Sequence, residues 1–195
     1  MAQMKYYYEL TISSSPHVHA KITTQTIMRD VLISLTPALI GSVYFFGLQA
    51  LLVTLVSAAA CVFFEWAYCK LTKTCCKVYD LSAAVTGVLL AFVCPVTIPY
   101  WILLIGDFFA IVIVKQLFGG IGRNFANPAI TARIVMLISF AGTMTNFSTN
   151  VDVVSSASPL SPTKDYVMPS LLELFLGTHE GSLGETCALA LLIGF

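Results

Sequence analysis

A short hydroxyl-rich stretch at residues 152–160 is the first place where this sequence could do chemistry. It reads Asp-Val-Val-Ser-Ser-Ala-Ser-Pro-Leu and lies in the longest polar interval of an otherwise apolar chain. A serine hydroxyl can carry a phosphoryl group, and packing does not require three serines and an alanine in this stretch. A plain serine-rich turn explains the same composition, and the residues alone favour that interpretation.

Two carboxylates, Glu65 and Asp107, lie within long apolar runs. A carboxylate inside a membrane is costly unless it is paired, protonated or in contact with water, and it is therefore a candidate for function. Glu65 lies near the end of its run, where it could instead reach Lys70 or the lipid headgroups. Asp107 lies deeper and is a candidate for an ion path or proton relay, with a satisfied structural role as the alternative. Lys115 is predicted to be too far along the same helix to pair with Asp107 directly.

Other motif matches are weaker. The glycines at residues 119–122 lack the preceding strand of a dinucleotide loop, so a tight turn between helices is expected. The SxxK match at residues 161–164 contains a proline and has no partner motifs, which argues against serine acylase chemistry. Six cysteines without a CxxC spacing, and two histidines at positions 17 and 19, predict neither a disulfide framework nor a metal site.

The composition is that of an integral membrane protein. The 195 residues are 57% hydrophobic and 10% charged, with a mean hydropathy of +0.86, whereas soluble domains have about 25% charged residues. Equal numbers of basic and acidic residues, with no basic patch among aromatics, argue against a nucleic-acid partner. The first thirty residues are polar and lack the apolar core of a cleavable signal peptide.

The expected fold class is all-α: a polytopic transmembrane helical protein with five full spans and the start of a sixth. A span needs about 20 apolar residues, and the breaks at residues 47–49 and 95–99 divide the two longest uncharged runs. The predicted helices cover about 31–46, 49–69, 81–94, 100–117 and 129–141. We expect a cytoplasmic arm at 1–30, the five spans within 31–141, an extracytoplasmic loop at 142–182 and the beginning of helix six at 183–195, where the sequence looks truncated.

Charge distribution predicts which side of the membrane each segment faces. With the amino terminus inside, nine of the ten lysines and arginines fall in cytoplasmic segments and only Lys164 falls outside. Basic residues favour the cytoplasm. The loop that carries Ser158 is therefore predicted to be extracytoplasmic in a multi-pass membrane protein.

Several motifs along the chain resemble one membrane-protein family. They read SPH (15–17), TTQ (23–25), MRDVLI (28–33), SAAVTG (82–87), FGGIG (118–122), NPA (127–129), GET (184–186) and LLIG (191–194). In this order they resemble the RnfD subunit of the Rnf complex, an ion-translocating ferredoxin:NAD oxidoreductase. They are more distantly similar to the NqrB subunit of the sodium-translocating NADH:quinone oxidoreductase.

The resemblance implies a cofactor at the hydroxyl-rich stretch. The family attaches FMN covalently, through a phosphoester, to the last residue of the pattern Asp-x-x-Ser/Thr-small-Ala-Thr. Asp152, Ser155, Ser156 and Ala157 fit this pattern, and Ser158 stands where threonine is usual. Ser158 is therefore the expected FMN attachment residue and requires a flavin transferase as a partner. A second, non-covalently bound flavin is an open alternative.

The resemblance further implies a translocase subunit of the bacterial inner (cytoplasmic) membrane that is not catalytic alone. It would relay electrons through FMN and help couple their transfer to Na+ or H+ translocation, with the other membrane and peripheral subunits of the Rnf complex and membrane lipid as partners. Two alternatives stay open: the NqrB-like part of the quinone-linked pump, and a non-redox transporter or channel subunit.

Overall fold

The fold is helical throughout the part of the chain that the computed structural model describes, residues 22–73, 78–145, 175, 181–184 and 188–195. The elements are α1 (Thr24–Phe46), α2 (Leu48–Thr72), a 3₁₀ turn (Val78–Asp80), α3 (Ser82–Phe92), α4 (Tyr100–Phe108), a π-helical segment (Phe109–Gln116) that continues α4, α5 (Pro128–Ser139), α6 (Ala141–Met144) and α7 (Ala188–Gly194). The predicted all-α class is confirmed for these residues.

Helix α1 begins well before the apolar span assigned to residues 31–46. Its first residue is Thr24, and the hydroxyl of Thr23 caps it by accepting a hydrogen bond from the Thr26 amide at 3.3 Å. Such a cap satisfies one of the amides that a helix start leaves unpaired. The helix is therefore longer than its apolar segment, because hydropathy marks the part suited to lipid and not the helix end.

A single glycine separates the first two helices, as the sequence predicts. Gly47 has a φ of +73°, a conformation that L-residues with a side chain rarely adopt. Its amide still bonds to the Val43 carbonyl, at 2.9 Å, so α1 closes before α2 begins at Leu48.

Helices α3 and α4 are joined by a turn with two prolines. The predicted helix over 81–94 is shorter, 11 residues from Ser82 to Phe92, because the chain turns at Val93 before Pro95 and Pro99. Side chains of this turn are buried in the main apolar core, together with residues of α2, α4 and α5. The predicted helix over 100–117 keeps its limits but changes from α to π geometry at Phe109.

The glycine-rich segment after the π-helix forms the expected turn between helices. Gly120 and Gly122 have φ values of +88° and +81°, and the Gly120 amide bonds to the Lys115 carbonyl at 3.0 Å. Asn127 then caps α5 by accepting a hydrogen bond from the Ala129 amide at 3.0 Å, with Pro128 in the first helical position.

Residues near the end of the chain pack back on the first helices. The amide of Gly184 donates to the Phe92 carbonyl at 2.8 Å, and the Ser42 hydroxyl of α1 donates to the Leu183 carbonyl. Helix α7 packs against α1. This helix extends from Ala188 to Gly194, within the range 183–195 that was assigned to the sixth span.

This bundle has an apolar outer surface that suits lipid, and it buries charged side chains in its interior. Large apolar side chains of α1 and α2 face outward, including Ile40, Tyr44, Leu52 and Phe63, while Glu65, Asp107 and Lys115 are buried. Two helices, α1 and α2, are long and apolar enough to cross a membrane, and α3 and α5 are shorter apolar helices.

Candidate functional site

Helix α2 carries a row of polar side chains on its buried face. Ser57, Cys61 and Glu65 are spaced four residues apart and are 0%, 0% and 3% exposed. Residues at this spacing lie on one side of an α-helix. The row faces α3 and the helix formed by α4 and the π segment, both of which pack against α2.

Asp107 lies opposite the first part of this row, and we call its surroundings the Asp107 group. Its Oδ1 atom is 2.6 Å from the Ser57 hydroxyl and 3.2 Å from the Cys61 thiol. The Ser57 hydroxyl is also 2.9 Å from the carbonyl oxygen of Gly87 on α3. Three helices therefore meet through one carboxyl group that is 0% exposed.

Glu65 and Lys115 form a buried ion pair next to this group. Lys115 Nζ lies 2.8 Å from Glu65 Oε1, and the two side chains are 3% and 2% exposed, respectively. Lys115 Nζ also donates to the Ser82 hydroxyl of α3 at 2.7 Å, and the Gln116 amide donates to Glu65 Oε1 at 2.7 Å. The pair thus has additional hydrogen bonds, as a buried ion pair requires.

An apolar contact lies between the Asp107 group and the ion pair. Cys61, Ala83 and Ile111 are buried and pack together. Cys61 lies between Ser57 and Glu65 on α2, and Ile111 lies between Asp107 and Lys115 on the facing helix. The site therefore consists of two polar groups on either side of an apolar contact.

Close packing of α2 and α3 positions the Asp107 group. A Cβ atom on Gly87 would lie 2.7 Å from both Ala58 Cα and Ser57 O, which is shorter than side-chain contacts allow. The small residues Ser57 and Ala58 of α2 therefore pack directly against α3. The missing side chain at Gly87 allows its carbonyl to reach the Ser57 hydroxyl.

The π segment places Lys115 opposite α2. Its wider hydrogen bonds include Leu117 N to Val112 O at 3.0 Å. A π-helix has more residues per turn than the 3.6 of an α-helix, so residues four apart stay closer to one face. Asp107, Ile111 and Lys115 are all buried as a result.

The structure refines both predictions for the intramembrane carboxylates. Glu65 pairs with Lys115 and not with Lys70, whose Nζ lies 4.8 Å from the centre of the Trp66 ring. Asp107 is buried and hydrogen-bonded, and Lys115 does not pair with it, as expected.

Sequence reasoning missed four participants in this site. Ser57 and Cys61 continue the buried stripe of Glu65 at a spacing of four, and that periodicity could have identified them. Ser82 accepts a hydrogen bond from Lys115 and Gln116 donates one to Glu65. These two contacts join different helices and have no local signal in the sequence.

The other predicted site residues lie outside the described part of the chain. Ser158 and its neighbours, the SxxK match and the histidines at positions 17 and 19 are among them. FMN attachment at Ser158 therefore stays a prediction.

Comparison with known proteins gives a family for this chain. The model of the NQR2, RnfD, RnfE family matches residues 11–195. The D subunit of the Na+-translocating ferredoxin:NAD+ oxidoreductase complex of Acetobacterium woodii is 48% identical over 192 residues, which are 95% of this chain and 60% of that protein. The D subunit of the proton-translocating ferredoxin:NAD+ oxidoreductase complex of Clostridium ljungdahlii is 38% identical over 94% of this chain and 60% of that protein.

A similar relationship holds for a third bacterium. The D subunit of the ion-translocating oxidoreductase complex of Aliivibrio salmonicida is 44% identical over 70% of this chain and 39% of that protein. The chain thus spans about three fifths of the length of the first two relatives. Since the family model covers nearly all of its residues, this chain belongs to the NQR2, RnfD, RnfE family.

Proposed function

We propose that this chain is a membrane subunit of a redox-driven ion pump, a ferredoxin:NAD+ oxidoreductase complex. It relays electrons through FMN bound covalently to Ser158 and couples their transfer to the translocation of Na+ or H+. The observation that carries the proposal is the buried arrangement of Asp107, Glu65 and Lys115 within the apolar helices of a member of this family. Five full spans and the beginning of a sixth, with the amino terminus in the cytoplasm, complete the proposed topology.

The buried charges support a transport role. Placing one charged side chain at the centre of a bilayer costs roughly 2.5–3.5 kcal/mol on insertion scales. This chain buries a carboxylate and a lysine as a pair, and a second carboxyl group that is hydrogen-bonded to Ser57 and Cys61. Side chains of this kind mark ion pathways in membrane proteins. We assign Glu65 and Asp107 to the ion path on this ground.

The residues around Ser158 suit a phosphoester of FMN. The serine hydroxyl provides the oxygen that such a bond needs, and Ser156 and Ala157 are small enough to leave it accessible. When bound, FMN supplies the capacity to accept and pass on electrons. A covalent bond also keeps the flavin from being lost by dilution on the outer side of the membrane.

The names of the relatives support ferredoxin and NAD+ as the redox partners of the assembled complex, with their chemistry on other subunits. The names of these two relatives specify different translocated ions, Na+ in one and the proton in the other. Membrane lipid, the remaining subunits and a flavin transferase are the partners that this function requires.

Fluorescence of the denatured chain tests the flavin assignment directly. The full-length subunit is produced in cells that contain the flavin transferase, denatured, separated on a gel and viewed under ultraviolet light. We expect a fluorescent band for the unaltered chain, its loss in Ser158→Ala and its retention in Ser158→Thr, because threonine keeps a hydroxyl at the acceptor position.

The matched control is Ser156→Ala, which removes a neighbouring hydroxyl and should keep the band. A dark band for the unaltered chain from such cells would contradict the flavin assignment. It would favour the alternative class, a non-redox transporter or channel subunit, which needs no acceptor hydroxyl.

A further inference from the structure

We propose that Asp107 is a proton-binding site that carries its proton in the observed conformation, and that the Ser57 hydroxyl changes its hydrogen-bond acceptor when the proton leaves. The proposal that Asp107 carries a proton is based on the geometry of the Asp107 group. Only the use of this proton in transport rests on the proposed function.

The contacts of the Asp107 group favour a protonated carboxyl. The Ser57 hydroxyl has a single hydrogen, but it lies 2.9 Å from the Gly87 carbonyl oxygen and 2.6 Å from Asp107 Oδ1. The carbonyl can only accept, whereas a protonated Asp107 can donate, so both contacts become full hydrogen bonds when Asp107 carries a proton. The 3.2 Å contact with Cys61 uses the thiol hydrogen. The thiol, the carboxyl and the hydroxyl thus form a chain that ends on Gly87.

The charge environment also favours a protonated carboxyl. Glu65 has a lysine at 2.8 Å, whereas Asp107 has no ion pair among the described residues. Its Oδ2 atom is buried and has no hydrogen-bond partner in the same part of the chain. An ionised carboxylate needs opposite charge or several donors in such a place, whereas a neutral carboxyl needs far less.

Other groups on the neighbouring helices do not change this difference between Glu65, which has a lysine partner, and Asp107, which has no ion pair among the described residues. The titratable side chains around Asp107 are Cys61 on α2 and Cys94 after α3, both buried thiols. Arg133 on α5 interacts electrostatically with Cys94. Glu65 and Lys115 interact electrostatically with Cys61, and their opposite charges are in contact with each other. The charge of Lys115 is therefore already neutralised by a carboxylate of its own.

Release of the proton would change the hydrogen bonds between helices. The O–H bond of Asp107 breaks and the proton passes to a water molecule, which leaves a carboxylate. The Ser57 hydroxyl then turns from the Gly87 carbonyl to Asp107, because the charged acceptor forms the stronger hydrogen bond. Helices α2 and α3 thereby lose a direct hydrogen bond at their closest contact, and the occupancy of the site is transmitted to their packing.

Infrared spectroscopy of the complete complex in lipid tests this proposal. A protonated carboxyl has a C=O stretching band that a carboxylate lacks. At neutral pH we expect one such band to be lost in Asp107→Asn, whose amide can replace the O–H donor to Ser57 and so preserve the fold. We expect the same band to shift in Ser57→Ala, which removes the acceptor of that proton.

The matched control is the double variant Glu65→Gln with Lys115→Met, which removes both charges of the neighbouring pair together and should leave the protonated-carboxyl bands unchanged. If every such band persists in Asp107→Asn, or none shifts in Ser57→Ala, Asp107 is ionised and the proposal is wrong. Should Asp107→Asn fail to assemble, the Ser57→Ala shift decides alone. Since the C=O band of the protonated carboxyl does not depend on flavin, this result is independent of the Ser158 test.

Discussion

Glu65 and Lys115 show at the scale of single residues how the protein keeps charge in an apolar interior. Each has another polar contact besides its partner, Gln116 for the carboxylate and Ser82 for the ammonium group. Removing one member of a buried pair leaves an uncompensated charge, which is much more costly than removing both. Each member of this pair therefore stabilises the fold mainly by compensating the charge of the other.

A double-mutant cycle measures this dependence. We expect Lys115→Met to lower the free energy of unfolding by about 3–5 kcal/mol, and Glu65→Gln combined with Lys115→Met to recover most of that loss. Denaturant unfolding of the subunit in detergent micelles provides the measurement.

Lys70→Met is the matched control for this cycle, since Lys70 is exposed and its ammonium group lies over the ring of Trp66. An exposed cation–π contact is worth about 0.5–1 kcal/mol. Equal losses for Lys115→Met and Lys70→Met would show that the buried pair is not charged.

At the scale of elements, the contact between α2 and α3 determines the geometry of the Asp107 group. The two helices approach until the backbone of one lies against Gly87 of the other. This distance lets one hydroxyl on α2 reach both a carbonyl on α3 and a carboxyl on α4. A bulkier residue at position 87 would separate all three.

We expect Gly87→Ala to lower the free energy of unfolding by about 1–3 kcal/mol, the usual range for overpacking. The clash is with backbone atoms at 2.7 Å, which cannot rotate away. Thermal unfolding compares it with Gly142→Ala on α6, where nothing lies within 4 Å of the added methyl group. A loss no greater than that of Gly142→Ala would contradict the close contact.

The sequence predicted these elements better than their contacts. Apolar runs and the break between them are local signals, and α1 and α2 meet at Gly47, within the predicted break at residues 47–49. The π segment has no local signature, because its sequence also fits an α-helix. The pairing of Glu65 with Lys115 joins residues fifty positions apart, and spacing along one helix cannot indicate it.

At the scale of the whole molecule, polar chemistry is enclosed and apolar side chains face outward. Because lipid is as apolar as the core, the hydrophobic effect does not hold the helices of such a bundle together. Close packing and hydrogen bonds between buried polar groups do so instead. Moving one charge against 100 mV costs about 2.3 kcal/mol. The proposed pump must therefore link each electron to a group that binds the ion. Glu65 and Asp107 are the buried carboxyl groups of the described bundle.

The most direct test of this account is ion uptake by lipid vesicles that contain the complete complex, supplied with reduced ferredoxin and NAD+. Ions taken up per NADH formed are compared for the unaltered complex, Glu65→Gln and Asp107→Asn, with Na+ and pH indicators read in parallel. The account predicts that uptake per NADH falls sharply in both variants while the flavin band on Ser158 remains. Unchanged uptake per NADH in both variants would contradict it.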